Sequence, residues 1–419
     1  MRNIAWPVVT AVLCALGVVV GSFSGIAVPW SDLLRPLIVA VSAAIVIGAI
    51  AGLLLRPFAA TAIAAVLTVF LISWLVGILV GLGLALALLL GRIRHNHVGN
   101  AVGVRPIIVA AACFAIASLA TAIASHGLPH IIPSTSAASN RGGASTYLIL
   151  LDGYPRGDTL REDFGYDNES FLRALEDRGF AVDRQRTGGV TATPIALAHL
   201  LGVNIADMDV DSMGMKDSLE LSRRLSSAPI FTEWQHAGYR FLSIRTPIGY
   251  ATLDGAIDTG QLTEFETILA ADTPLAPWIG DWVLTQHRER LEASLRLLAD
   301  LASGGSSKVV LAHLLAPHPP FLNRPMPPCW PSCTPWNSSG LSWSGDPATY
   351  AAAVREQVAT LNPLVLDTLD AVITADPGAA IIVFSDHGFR HRPRGDPEWD
   401  RILYAIRGEP SVEIPGFGF

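Results

Sequence analysis

Apolar and polar positions divide this chain into two textures. Up to about residue 125 they form long apolar stretches, roughly 4–30, 37–55, 58–91 and 106–125, almost without charge. A helix needs about 20 apolar residues to cross about 30 Å of hydrocarbon. The first, second and fourth stretches each fit one span. The third has 34 residues, about 51 Å at about 1.5 Å per residue. That is too long for one upright helix and short for two, and Gly77, Gly81 and Gly83 are placed to turn it. Residues 133–145, PSTSAASNRGGAS, then make a flexible spacer of small polar residues.

Past the spacer the runs become short. Residues 147–151 are continuously apolar and end in Asp152-Gly153, the pattern of a buried parallel strand. The pattern predicts helices at 171–178, 193–201 and 229–237, then a strand at 239–244. Leu291, Leu295 and Leu298 share one face of a predicted helix near 281–302, followed by a turn at 303–307 and a strand at 309–315. Residues 349–373 read as helix with a break at Pro363. A strand at 379–384 ends in Ser385-Asp386-His387-Gly388. Strands alternating with helices predict an α/β domain with a mostly parallel sheet between helices. The expected organisation is an all-α polytopic membrane domain at 1–126 with four or five spans, a linker at 127–145, and an α/β domain at 146–419.

Composition agrees with this division. The chain is 51% hydrophobic and 16% charged, with mean hydropathy +0.42, against about 25% charged in ordinary soluble domains. Disorder, a collagen-like fibre and a small disulfide scaffold are excluded. Residues 1–130 hold one acid, Asp32, and six bases, so they carry +5, and the remainder carries −12. An acidic domain offers no basic face for nucleic acid. With five spans and the N-terminus inside, Arg2, Arg56, Arg92, Arg94 and Arg105 are cytoplasmic and only Arg35 is outside. With four, the better count has the N-terminus outside and Arg35, Arg92, Arg94 and Arg105 inside. Five spans satisfy the charge rule better, and both solutions place everything after residue 126 outside the cytoplasm. Further spans after the first stretch argue against a cleaved signal peptide. No ionisable residue lies mid-span, which argues against a transport component and for an anchor.

Functional groups in parallel α/β sheets gather at the carboxyl ends of strands. Three apolar runs here end in metal-ligand residue types: Asp152, the His313/His318 pair, and Asp386-His387. Asp and His together suit Zn²⁺ or Mn²⁺. Adjacent residues reach one ion only through a sharp turn, for which Gly388 is suited. Thr193-Pro194 opens an apolar helix; Thr is a good N-cap and Pro is favoured at the next position. A cap accounts for this pair locally. The same hydroxyl, at the positive end of a helix, is also placed to act as a nucleophile toward a phosphoryl group, and Thr191 competes for that role. His318 stands between prolines in HLLAPHPPF, a rigid setting for holding a substrate. Cys329 and Cys333 flank WPS, and outside the cytoplasm a disulfide between them is chemically allowed. Cys14 and Cys113, inside the apolar stretches, read as small apolar residues.

In their order, YLILLDGY, the TPxxLAHLL helix, HLLAPHPPF and FSDHG resemble the sulfatase-like branch of the alkaline phosphatase superfamily. The likeness covers about 147–407. It is nearest to membrane-anchored members such as lipoteichoic acid synthases and phosphoethanolamine transferases. The resemblance implies Asp152, Asp386 and His387 as metal ligands, Thr193 as both ligand and nucleophile forming a covalent phospho-intermediate, and His318 with His313 as substrate-binding residues. Neither Thr191 nor Thr193 has Pro at +2 and Arg at +4, the pattern of sulfatases proper, so sulfate-ester chemistry is disfavoured. The last histidine is His391, which favours one divalent ion, Mn or Zn, over two. The expected function is a multi-pass protein of the cytoplasmic membrane that transfers or hydrolyses a phosphoryl or phosphodiester group on a lipid-linked or envelope substrate, with its catalytic domain outside. The alternatives are a catalytically silent envelope scaffold of the same fold, or a true sulfuric ester hydrolase.

Overall fold

A computed structural model describes residues 4–55, 57–73, 105–127, 143–210, 212–305, 307–324, 346–393 and 395–417. By contacts the chain forms two units: residues 1–130 with 263–279, and residues 131–262 with 280–419. The second part of the third apolar stretch, including its three glycines, and the Cys329/Cys333 pair lie outside the described residues.

Among the described residues, the first unit holds four apolar helices: α1 (Ala5–Phe23), α2 (Leu34–Leu54), α3 (Pro57–Ile72) and α4 (Arg105–His126). α1, α2 and α4 are long and apolar enough to cross a membrane, and α3 is a shorter apolar helix. α1 packs against each of the other three. Small side chains make this possible: Ala11, Ala15, Ala44, Ala51, Ala60 and Ala64 are buried. Gly48 lies so close to Val8 that a Cβ there would sit 2.6 Å from its Cα. Lipid tails are as apolar as leucine, so helices in a bilayer associate through such close packing. Larger residues such as Val39, Val46, Leu54 and Ile116 point outward. Helices of this length and hydropathy give the unit a multi-pass membrane topology.

Among the described residues, the second unit carries a six-stranded sheet. β1 (Thr146–Leu151) lies between β4 (Lys308–Leu314) and β5 (Ala380–Phe384), with β3 (Arg240–Ile244) outside β4. These four run parallel. β6 (Tyr404–Arg407) pairs antiparallel with β5, and β2 (Ala181–Val182) antiparallel with β6. β1 is buried along its whole length because both faces are covered. Tyr147, Ile149 and Leu151 point into one core and Leu148 and Leu150 into the other, the period of two that a pleated strand imposes.

Over the first face lie α5 (Gly157–Phe164), α6 (Glu169–Asp177), α11 (Ala276–Ala302) and α12 (Pro347–Ala375). Over the second lie α7 (Thr193–Leu200), α8 (Met215–Ser226) and α9 (Pro229–His236). Two expectations need correction. The helix predicted near 281–302 begins at Ala276, and α12 is one helix with Pro363 inside it, without the predicted break. A proline in a helix interior costs about 3 kcal/mol. The α12 stripe Val354, Val358, Leu361, Val365, Leu369 and Val372 is fully buried, and burying one such side chain contributes about 1.5–3 kcal/mol. The same packing assigns α12 to the domain core, although its length and hydropathy would also suit a span.

Candidate metal centre

Register decides where the strand-end residues arrive. Leu150 of β1 is level with His313 of β4 and Phe384 of β5. The residues just beyond, Asp152 on one side and Asp386-His387 on the other, therefore leave the sheet at the same height. The backbone tightens there: Asp152 N–H donates to the Leu314 carbonyl at 3.0 Å and His318 N–H to the Asp152 carbonyl at 3.1 Å. Gly153 turns the chain with φ +63°, a conformation glycine adopts without strain. Gly388 serves differently from the expected sharp turn. A Cβ there would lie 2.1 Å from the Glu398 carbonyl oxygen, so close backbone approach requires glycine.

Asp152, Asp386 and His387 converge, all buried, with one ligand atom from each within 4.8 Å of the others. In each, one polar atom is anchored and another is left for the centre. Asp386 Oδ1 accepts from Gly153 N–H at 2.9 Å, while Oδ2 is buried with no hydrogen-bond partner. Asp152 Oδ2 is 2.9 Å from His313 Nε2, and Oδ1 is likewise buried without a partner. His387 Nδ1 donates to the Gly388 carbonyl at 2.7 Å. Its Nε2 lies 3.4 Å from Asp386 Oδ2, 3.7 Å from Asp152 Oδ1 and 3.4 Å from Thr193 Oγ1. Buried carboxylate oxygens without partners are costly. Two aimed at one imidazole nitrogen form a donor set that fits a divalent ion of the Zn²⁺ or Mn²⁺ type.

Electrostatics favours the protonation states such an ion needs. Burial opposes charge on Asp152, but the His318 imidazole, then His313 and His387, outweigh it and hold the carboxyl well below its ordinary range. Burial lowers the His387 pKa against the pull of Asp386, with Arg390 adding to the lowering.

Thr193 is buried while Thr191 is exposed. α7 begins at Thr193 itself; its N-cap is Ala192, with φ −150° and ψ 137° and no side-chain cap bond. The expected capping role is therefore not the one the hydroxyl takes. Pro194 has no N–H, and Ile195 N–H already donates to Ala192 O at 3.0 Å. This helix end therefore offers an anion mainly its field.

His313 is 5% exposed and directed at Asp152. His318 is half-buried, with Nδ1 2.6 Å from the Pro319 carbonyl. Sequence reasoning missed Arg390, which donates to the Thr191 carbonyl at 2.8 Å. The available signal was its place three residues beyond His387. A cavity of about 620 Å³, lined by Ile195, Ala198, His199, Ile205 and Met208 among others, opens along α7.

No family model matches the chain, and no curated protein matches it. Among solved structures, the C-terminal periplasmic domain of Escherichia coli EptC in complex with Zn is 14% identical. The match covers 65% of this chain and 75% of that one, with TM-score 0.35. The integral membrane protein lipooligosaccharide phosphoethanolamine transferase A of Neisseria meningitidis is 13% identical, over 94% and 72%, with TM-score 0.36. The lipoteichoic acid synthase LtaP of Listeria monocytogenes is 12% identical, over 67% and 69%, with TM-score 0.37.

Proposed function

We propose that this chain is a membrane-anchored, metal-dependent enzyme that transfers or hydrolyses a phosphoryl or phosphodiester group on a lipid-linked or envelope substrate outside the cytoplasm. The observation that carries the reading is the pair of buried, unpartnered carboxylate oxygens of Asp152 and Asp386 facing His387 Nε2, with the Thr193 hydroxyl against the same nitrogen.

Asp152, Asp386, His387 and Thr193 would hold one Mn²⁺ or Zn²⁺ ion, which would supply Lewis-acid polarisation of the threonine oxygen and of a phosphate oxygen. Thr193 is the nucleophile. Its Oγ1–phosphorus bond forms as the ester bond to the leaving alcohol breaks, and the threonine proton ends on that alcohol. Water or a second alcohol then takes the phosphoryl group and returns a proton to Thr193. His313 positions Asp152. His318, with Nδ1 committed to Pro319, presents Nε2 for the substrate. Arg390 supplies positive charge beside the Thr191–Thr193 segment, as a phosphoryl group requires. The cavity along α7, where Ile195, Ala198, Ile205 and Met208 stand beside His199 and Asn204, suits an amphipathic portion of a lipid-linked substrate.

The test uses the purified full-length chain. Metal analysis after dialysis against Mn²⁺ or Zn²⁺ should give one ion per chain and about none for Asp386→Asn, with hydrolysis of chromogenic mono- or diesters following the metal. Undiminished metal in Asp386→Asn would place the ion elsewhere. One tightly held ion without turnover of any ester would leave the silent scaffold as the correct reading.

A further inference from the structure

Among the described residues beyond the N-terminal helices, large apolar side chains are exposed at three positions, and the three are neighbours. Leu275 is 51% exposed, Trp278 78% and Trp282 50%. They fall at i, i+3 and i+7 around the start of α11, so they share one helix face. Tryptophan is normally well buried, and a contiguous bare apolar patch marks an interaction surface.

The position of this segment identifies what it faces. Residues 263–279 belong by contacts to the membrane unit. The preceding helix, α10 (Glu264–Ala271), starts with a capping box. Thr263 Oγ1 accepts from Glu266 N–H at 3.2 Å, and Glu266 Oε2 accepts from Thr263 N–H at 2.7 Å. Glu266 also accepts from Arg35 Nη2 at 2.7 Å. Phe265 is fully buried, edge-on to Phe23 with ring centroids 5.5 Å apart. The same Phe23 ring lies 5.0 Å from Trp30 and stacks on His126 at 4.3 Å. Phe23 is the last residue of α1 and His126 the last of α4. This aromatic cluster therefore lies where the spans leave the hydrocarbon, at the end from which α4 delivers the chain to the α/β domain. Leu275 and Trp278 follow within a few residues, in the same unit.

We propose that the Leu275–Trp278–Trp282 face inserts into the interfacial layer of the bilayer at that end of the spans. The indole ring has an apolar body and one N–H, which suits it to the headgroup–acyl boundary. Residues 263–282 contain Glu264, Glu266, Asp272 and Asp281 and no base. Attraction to anionic headgroups is therefore not the driving force. The face binds through apolar contact, to zwitterionic and anionic lipid alike. This inference goes beyond the catalytic reading and stands independently of it.

The test compares wild type with W278F/W282F, full-length, in phosphatidylethanolamine/phosphatidylglycerol nanodiscs. The difference between the two emission spectra isolates these indoles. It should be blue-shifted and lose roughly half its intensity or more when the acyl chains are brominated, as interfacial depth implies. It should respond little to aqueous iodide and be unchanged at high salt. A red-shifted difference spectrum quenched by iodide would put the face in water and overturn the proposal. Resistance to both quenchers would show it covered by protein, such as a second copy, and would overturn it equally. The single variants W278F and W282F each give an independent half of the measurement should the double variant fail to fold.

Discussion

Thr193 and Thr191 are two residues apart and differ in what surrounds them. Thr193 is buried against His387, and Thr191 is exposed with its carbonyl held by Arg390. Thr193→Ala should lower ester turnover roughly 1000-fold or more, as loss of a nucleophile does, and abolish any phospho-enzyme trapped by rapid acid quench. Thr193→Ser should retain part of the activity. Because the hydroxyl makes no cap bond, the alanine variant loses only its buried side-chain contacts and should remain folded, at a cost of about 1 kcal/mol. Thr191→Ala should be nearly as active as wild type; a dead Thr191→Ala beside an active Thr193→Ala would reassign the nucleophile.

At the scale of elements, α11 carries His287 fully into the protein. Burial, and secondarily the Arg290 guanidinium, push its imidazole down to about 3. The unfolded chain takes up that proton below about 6.5, so between those values the unfolded state binds more protons than the folded one. Stability should therefore fall as pH falls from about 6.5 toward 3, with this residue contributing at most about 1.4 kcal/mol per pH unit. Urea unfolding of the full chain at several pH values, compared with His287→Gln, should show a shallower decline in the variant. Parallel profiles would mean that another group is responsible. α12 teaches a related point about elements. Pro363 argues locally for a break, and a continuous buried stripe overrules it.

For the whole molecule the decisive question is sidedness. Both charge-consistent topologies put Phe419 outside the cytoplasm. A C-terminal alkaline phosphatase fusion should be active and a green fluorescent protein fusion dark. Fluorescence without phosphatase activity would reverse the orientation and with it the proposal of an external substrate. Contacts also draw residues 263–279, which sequence order assigns to the α/β domain, into the membrane unit. Nothing in their local texture sets them apart as strongly as the spans are set apart.

The apolar stretches and the continuous runs before Asp152 and Asp386 are properties of consecutive residues, so hydropathy and period alone determined them. The α/β class with its parallel strands followed from the same alternation. That Asp152 and Asp386-His387 follow apolar runs, and that His313 stands near the end of a third, was also legible in consecutive residues. Tertiary structure decided what each group does there. Only the register of β1 against β4 and β5 brings these ends to one height. Only packing turns His313 onto Asp152, leaves one oxygen of each carboxylate without a partner, and seats Thr193 against His387 in place of capping its helix. Phe265 was equally silent in sequence: one phenylalanine in a short helix acquires its place from the aromatic rings at the ends of α1 and α4. Local pattern records which face of an element avoids water. Which distant atoms meet there depends on how the elements are stacked, and that is settled by long-range packing.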